Sequence, residues 1–188
     1  MPLTLAKVAA KTAQELCRGW DLEGPEAGAL LTPEATPAAF LEALIRKTYY
    51  SDAVRLLAAG LPPRDGVRWA CLCAREQKEP PIPKEAMRAL EGAERWVAQP
   101  DEANRRAAFD GAQGQMGTPA GCAASAAYFS EGSITPEGTP PVPPPEGVAA
   151  KMVSGGVLLA AAIGDPRNAS DRFRRFLQLG VGVANQGL

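Results

Sequence analysis

Apolar residues recur along this chain at intervals of three and four, the period of a helix with one buried face. In residues 3–20, Leu5, Val8, Ala9, Thr12, Ala13, Leu16 and Cys17 keep that spacing between charged or polar neighbours and predict an amphipathic helix. Gly24 and Pro25 interrupt it. Phe40, Leu41, Leu44 and Ile45 mark another helix, with Thr36 as N-cap and Pro37 in the first position, where a missing N–H costs nothing. Tyr49, Tyr50, Ala53, Val54, Leu56 and Leu57 mark the next, with Gly60 as the C′ residue beyond its end. Pro62 and Pro63 then start a third, which carries Val67, Trp69, Ala70, Cys71 and Cys73. Joints this short make the three a compact antiparallel unit. No fixed-period repeat supports a solenoid.

The charged, proline-rich stretch EQKEPPIPKEA reads as a surface connection to a second helical group. Met87, Leu90, Ala93, Trp96 and Val97 trace a helix over residues 83–99, and Asp101 caps the following DEANRRAAFDGAQ. TPAGCAASAAYFS is a proline-started helix of small residues, whose Gly121, Cys122, Ala123 and Ala124 permit close helix approach. Residues 148–163 are apolar on all sides and predict a central helix, broken by Asp165 and Pro166. Residues 168–187 open with capping chemistry and continue with Phe173, Phe176, Leu177, Leu179 and Val183 toward the core and Arg172, Arg174 and Arg175 toward solvent. No alternating segment competes, so the fold class is all-α, a compact bundle of about eight or nine helices with a proline-rich strap before the last two. The chain, 1–188, reads as one domain, with an N-terminal helical group over 1–76 and a C-terminal group over 83–188.

The strap is residues 132–147, GSITPEGTPPVPPPEG, with six prolines. Pro143, Pro144 and Pro145 must run extended, in a polyproline-like conformation. Two readings stay open: a semi-rigid strap across the helical body, or a ligand for an aromatic groove on a partner.

Composition then removes whole classes of chemistry. The 188 residues include no histidine, the usual general base and transition-metal ligand near neutral pH, which excludes Ser-His-Asp and Cys-His catalysis and most zinc sites. Lysine plus arginine (20) nearly cancel aspartate plus glutamate (21), so there is no basic surplus for nucleic acid. The apolar stretch 147–164 contains Lys151, its uninterrupted apolar run is too short to span a membrane, and the N-terminus lacks the pattern of a signal peptide. The expectation is a cytoplasmic protein without membrane insertion and without a cofactor.

Four cysteines, at 17, 71, 73 and 122, read as reduced, small apolar residues, because CxC has no second pair or histidine to complete a metal site. Cys122 falls in the first turn of a helix, where the dipole can lower a thiol pKa, but no base accompanies it. Glu91 and Glu94 share a helix face, as paired catalytic carboxylates would, yet Arg88 and Arg95 flank them at ion-pair spacing. GQMG and SGGV lack the strand and lysine of a phosphate loop and read as packing glycines. Arg68 with Trp69, and Arg95 with Trp96, are candidate aromatic and basic anchors for a protein partner, with core burial the commoner fate of such tryptophans.

The blocks LTPEATPAAFLEAL, DAVRLLAAGLPPRDGVRWACLCARE, WVAQPDEANRRAAFDGA, GTPAGCAASAAYFSEGSITP, VPPPEGVAAKMVSGGVLLAA and RFRRFLQLG together resemble an uncharacterised family of bacterial proteins encoded beside type VI secretion spike and effector genes. The family's tryptophan-rich block stands here as VRWACLCA, with Arg68 where a further aromatic is expected. The resemblance brings no catalytic residues. It implies a non-enzymatic, chaperone-like accessory or adaptor protein that binds a secretion effector, spike or adaptor component, through a groove between helices or through the strap at 136–145. The candidate contact residues are Arg68, Trp69, Arg95, Trp96, Pro141, Pro143, Pro144 and Pro145. The runner-up readings are an immunity protein that neutralises a cognate toxin, and an enzyme using Cys122 or a carboxylate pair.

Overall fold

Polar caps and prolines set where most of the helices begin. In the computed structural model, which describes residues 3–186, ten α-helices and one 3-10 turn follow one another without a strand among the described residues. They are α1 (Ala13–Leu16), α2 (Pro25–Ala29), α3 (Pro37–Arg46), α4 (Tyr50–Gly60), α5 (Pro63–Arg75), α6 (Lys84–Ala98), α7 (Glu102–Ala112), α8 (Pro119–Tyr128), α9 (Val148–Ala162) and α10 (Ala169–Asn185), with the 3-10 turn at Pro166–Asn168. Thr36, Asp101 and Thr118 each accept a hydrogen bond from the backbone N–H three residues on, at the starts of α3, α7 and α8. Residue 187, where the sequence reading ends the last helix, lies outside the described residues.

One hydrophobic cluster extends from Ala13 to Ala184. At its centre α8 packs against α5, α6, α7 and α9, while α9 also meets α4, α5 and α10. Every residue of α8 is buried, and small side chains set the helix spacing. A Cβ on Gly156 of α9 would stand 3.1 Å from Cys122 Cβ and 3.2 Å from the Pro119 carbonyl oxygen. The α6–α7 pair uses the same device twice, Gly92 against Ala108 and Gly111 against Ala89. No described helix is long and apolar enough to cross a membrane.

The N-terminal segment departs from expectation. Instead of one helix over residues 3–20 there is a single turn, α1, because the preceding backbone is engaged elsewhere. The Lys7 N–H donates to the Ala184 carbonyl at the end of α10 (2.9 Å), and the Ala6 N–H donates to Asn185 Oδ1 (3.1 Å). Lys7 Nζ lies 2.6 Å from Asp65 Oδ1 on α5. These bonds cap the last turn of α10, and a long-range partner outweighs a local helical preference worth only tenths of a kcal/mol per residue.

Three smaller departures have equally local causes. Gly60 is the last residue of α4 rather than a left-handed C′, since Pro62 holds Leu61 extended (ψ 142°). The left-handed position falls instead on Thr48 (φ 63°), whose N–H donates to Ile45 while that of Tyr49 donates to Leu44, closing α3 as a Schellman motif. Arg172 does not point to solvent: Nε donates to the Ala161 carbonyl (2.9 Å) and Nη1 to that of Asp165 (2.9 Å), so it caps the end of α9.

Candidate functional site

The strap leaves the body after α8 and returns at Gly147. Its first part closes on itself: the Ile134 N–H donates to the Val142 carbonyl (2.9 Å), the Val142 N–H to Ser133 Oγ (3.0 Å), and Thr135 Oγ1 to the Pro140 carbonyl (2.9 Å). Side chains of α7 and α8 hold this loop to the bundle, Arg105 foremost. Arg105 of α7 is 1% exposed, and its guanidinium donates to both Glu102 carboxylate oxygens (2.6 and 2.8 Å), to the Tyr128 carbonyl (2.5 Å) and to the Ser133 carbonyl (2.8 Å). It also lies over the Tyr128 ring, 4.6 Å from the centroid. Beside it Arg106 reaches the Thr135 carbonyl (3.1 Å), and the Tyr128 hydroxyl donates to that of Ile134 (3.1 Å). The hydrogen bonds from Arg105 and Arg106 bring the Glu102 carboxyl down to about 2.

Along the second half of the strap, Pro141, Val142, Pro143 and Pro145 are exposed, Pro144 is half-buried, and none belongs to a helix. Val142 shows 45% of its surface to solvent. A gap of about 340 Å³, lined by Ala59, Pro63, Gly66, Phe129 and Ala149 among others, separates Pro144 and Pro145 from the helices beneath. Glu146 and Gly147 at the end of the strap also border an open groove of about 630 Å³ between the turn after α1, the middle of α4 and the first turns of α9.

The other candidate residues scatter. Trp69 is fully buried, its Nε1 donating to the Phe176 carbonyl (2.7 Å), and Trp96 is 2% exposed, so neither indole is a surface anchor. Their arginine neighbours diverge, Arg68 half-buried beside Leu72 and Leu179 on the α5–α10 face and Arg95 exposed on α6. Glu94 pairs with Arg75 across to α5, in a two-pronged contact of 2.6 and 2.8 Å, rather than with Arg88 or Arg95. Burial pushes the Cys122 thiol up, and its S–H is directed at the Met116 carbonyl (3.2 Å). Cys71 and Cys73 are also raised by burial, and burial with the nearby Asp52 pushes Cys17 up to about 11, so no thiol here is poised as a thiolate. Among the described residues no three Cys, Asp or Glu side chains could hold a metal ion together.

Sequence comparison agrees with the extent of this body. A protein-family model matches residues 40–184, from α3 to the end of α10. The chain belongs to a family of unknown function, DUF6931. No curated protein and no solved structure matches it. The family region takes in the strap with its Arg105 anchor, and excludes the segment before Phe40 that forms one wall of the open groove.

Sequence reading located the strap but not what holds it. Glu102, Arg105 and Arg106 stood at spacings that mark ordinary solvated ion pairs on a helix. That one of the two arginines is interior, with backbone carbonyls from a segment two dozen residues on as partners, carries no local signature. The groove residues Arg18, Trp20, Arg55 and Lys151 come from three separate elements and were equally silent.

Proposed function

We propose that this protein is a cytoplasmic, non-enzymatic accessory or adaptor that holds another protein, and that its partner, as the resemblance of its sequence blocks implies, is an effector, spike or adaptor component of type VI secretion. The observation that carries the reading is the strap. A segment whose task was to staple helices together would bury its side chains against them, whereas Pro141, Val142, Pro143 and Pro145 are exposed and Pro144 and Pro145 border a gap. Proline fixes the extended conformation beforehand, so little conformational entropy is lost when an aromatic-lined groove receives it. The buried guanidinium of Arg105 supplies a rigid base from which the segment is displayed. Burial of the thiols and the cross-helix pairing of Glu94 with Arg75 weigh against the enzymatic alternatives.

Co-expression with the products of adjacent genes, followed by purification at low salt, tests this. A stable complex with one of them is expected, and replacing Pro143, Pro144 and Pro145 together by glycine should weaken it about tenfold or more by restoring flexibility to the free strap. If no neighbouring gene product binds, the proposal is wrong.

A further inference from the structure

The open groove beside the end of the strap has a chemistry of its own. Arg18, Arg55 and Lys151 line it, against Glu146 as the single lining carboxylate, in a protein whose overall charge is −1. The positive character is therefore local rather than a property of the whole surface. Arg18 and Lys151 are exposed, and neither has an ion-pair partner among the described residues. Arg55 is positioned from below by Asp52, which is fully buried, accepts the Glu23 N–H at 2.8 Å and stands 3.5 Å from Arg55 Nη1. Leu16, Trp20, Ala59 and Ala150 supply apolar wall between the cations. The groove lies at the N-terminal end of α9, whose N-cap Gly147 offers no side-chain cap, and the helix end adds partial positive charge.

We infer that this groove is an interaction surface for an acidic peptide segment of a partner protein, whose carboxylates meet Arg18, Arg55 and Lys151 while an apolar side chain between them rests against Trp20 and Leu16. This rests on the reading that the chain holds another protein, and adds a second contact next to the strap. A volume of this size takes several side chains, and an aromatic and aliphatic wall between separated cations suits a mixed acidic and apolar segment better than a phosphate backbone. Nucleic acid and anionic lipid need a broad basic face, and here the exposed Asp21 and Glu23 follow Trp20 directly in the chain.

The test uses the full purified chain and a fluorescein-labelled, glutamate-rich peptide with one central leucine, followed by fluorescence anisotropy. Binding is expected at low salt, weakening as salt rises, and falling about tenfold or more in the double variant Arg18→Glu with Lys151→Glu. Both residues are exposed, so the double variant should unfold at the wild-type temperature, and Arg88→Glu, at an exposed cation on α6, should bind as wild type does. Absence of binding at low salt overturns the inference, as does an equal loss in Arg88→Glu. Equal capture of phosphatidylserine vesicles or duplex DNA through the same two residues overturns it in favour of a general polyanion surface. A complex with a neighbouring gene product that survives the double variant removes the groove as a contact and leaves the strap reading standing.

Discussion

The α8–α9 seam and the strap that joins those two helices are consecutive in the chain and held in opposite ways. In the seam, Gly156, Cys122, Pro119 and the alanines of α8 meet at contact distance, with stability spread over many dispersion contacts and little polar chemistry. In the strap almost nothing is buried, and position is set by a few hydrogen bonds, among them those from Arg105 to the Ser133 carbonyl, from Arg106 to that of Thr135 and from the Tyr128 hydroxyl to that of Ile134. Dispersed packing fails all at once, whereas a pinned loop can be released while the body stays folded. That contrast is what a displayed binding segment on a rigid carrier requires.

Gly156→Leu attacks the first region and should have the largest effect. The new side chain has no space between Cys122 Cβ and the Pro119 carbonyl, and the expected loss is about 3 kcal/mol, read as a lower urea midpoint with all spectroscopic probes moving together. If only the strap loosened, the seam would not be the common support of the fold.

Arg105→Ala attacks the second. It strips a buried donor from the carbonyls of Tyr128 and Ser133, with an expected cost of about 2 kcal/mol. Hydrogen exchange should accelerate most at the amides of Ile134 and Val142, which close the strap loop, and least in α8. Uniform acceleration everywhere would erase the distinction between the two regions.

The smallest effect comes from pH. Glu102 has its carboxyl lowered from 4.5 to about 2 in the folded protein, so its contribution is complete above about pH 4.5 and is lost as pH falls through about 2. The side chain is 48% exposed, which screens the interaction and keeps the effect small and salt-sensitive. Protection of the strap amides should fall across that window in the wild type, and the fall should be absent in Glu102→Gln. A transition of the same size in the variant would show that Glu102 does not hold the pin.

Much of the scaffold was legible because its signals are local. Thr36 with Pro37, Asp101, and Thr118 with Pro119 marked helix starts that the structure reproduces, and the small residues of TPAGC and SGGV announced close packing. The N-terminal pattern misled for the opposite reason: residues 5–17 have helical periodicity, but the amides of Ala6 and Lys7 find partners on α10, at the far end of the sequence, and that of Ala13 bonds to the Ala35 carbonyl. The tryptophans took the core fate that was the commoner expectation, and the anchor reading stood beside it because the same Arg-Trp pair reads alike on a surface or in a core. Trp69 is inside because Gly180 lets α10 come close: a Cβ there would lie 2.7 Å from the indole ring.

By itself the sequence determined the helical class, the proline strap and the absence of histidine chemistry, since periodicity, capping and residue type are properties of neighbouring positions. Only the tertiary structure decided which charges are pins and which are free. Arg105 and Arg106 are adjacent and chemically identical, and burial makes the first an internal anchor while the second stays partly in water. Arg18 and Lys151, far apart in the chain, become one positive groove because α1, α4 and α9 converge there. The energy of a charge depends on its dielectric surroundings and on the groups that approach it, and those are set by packing between distant segments.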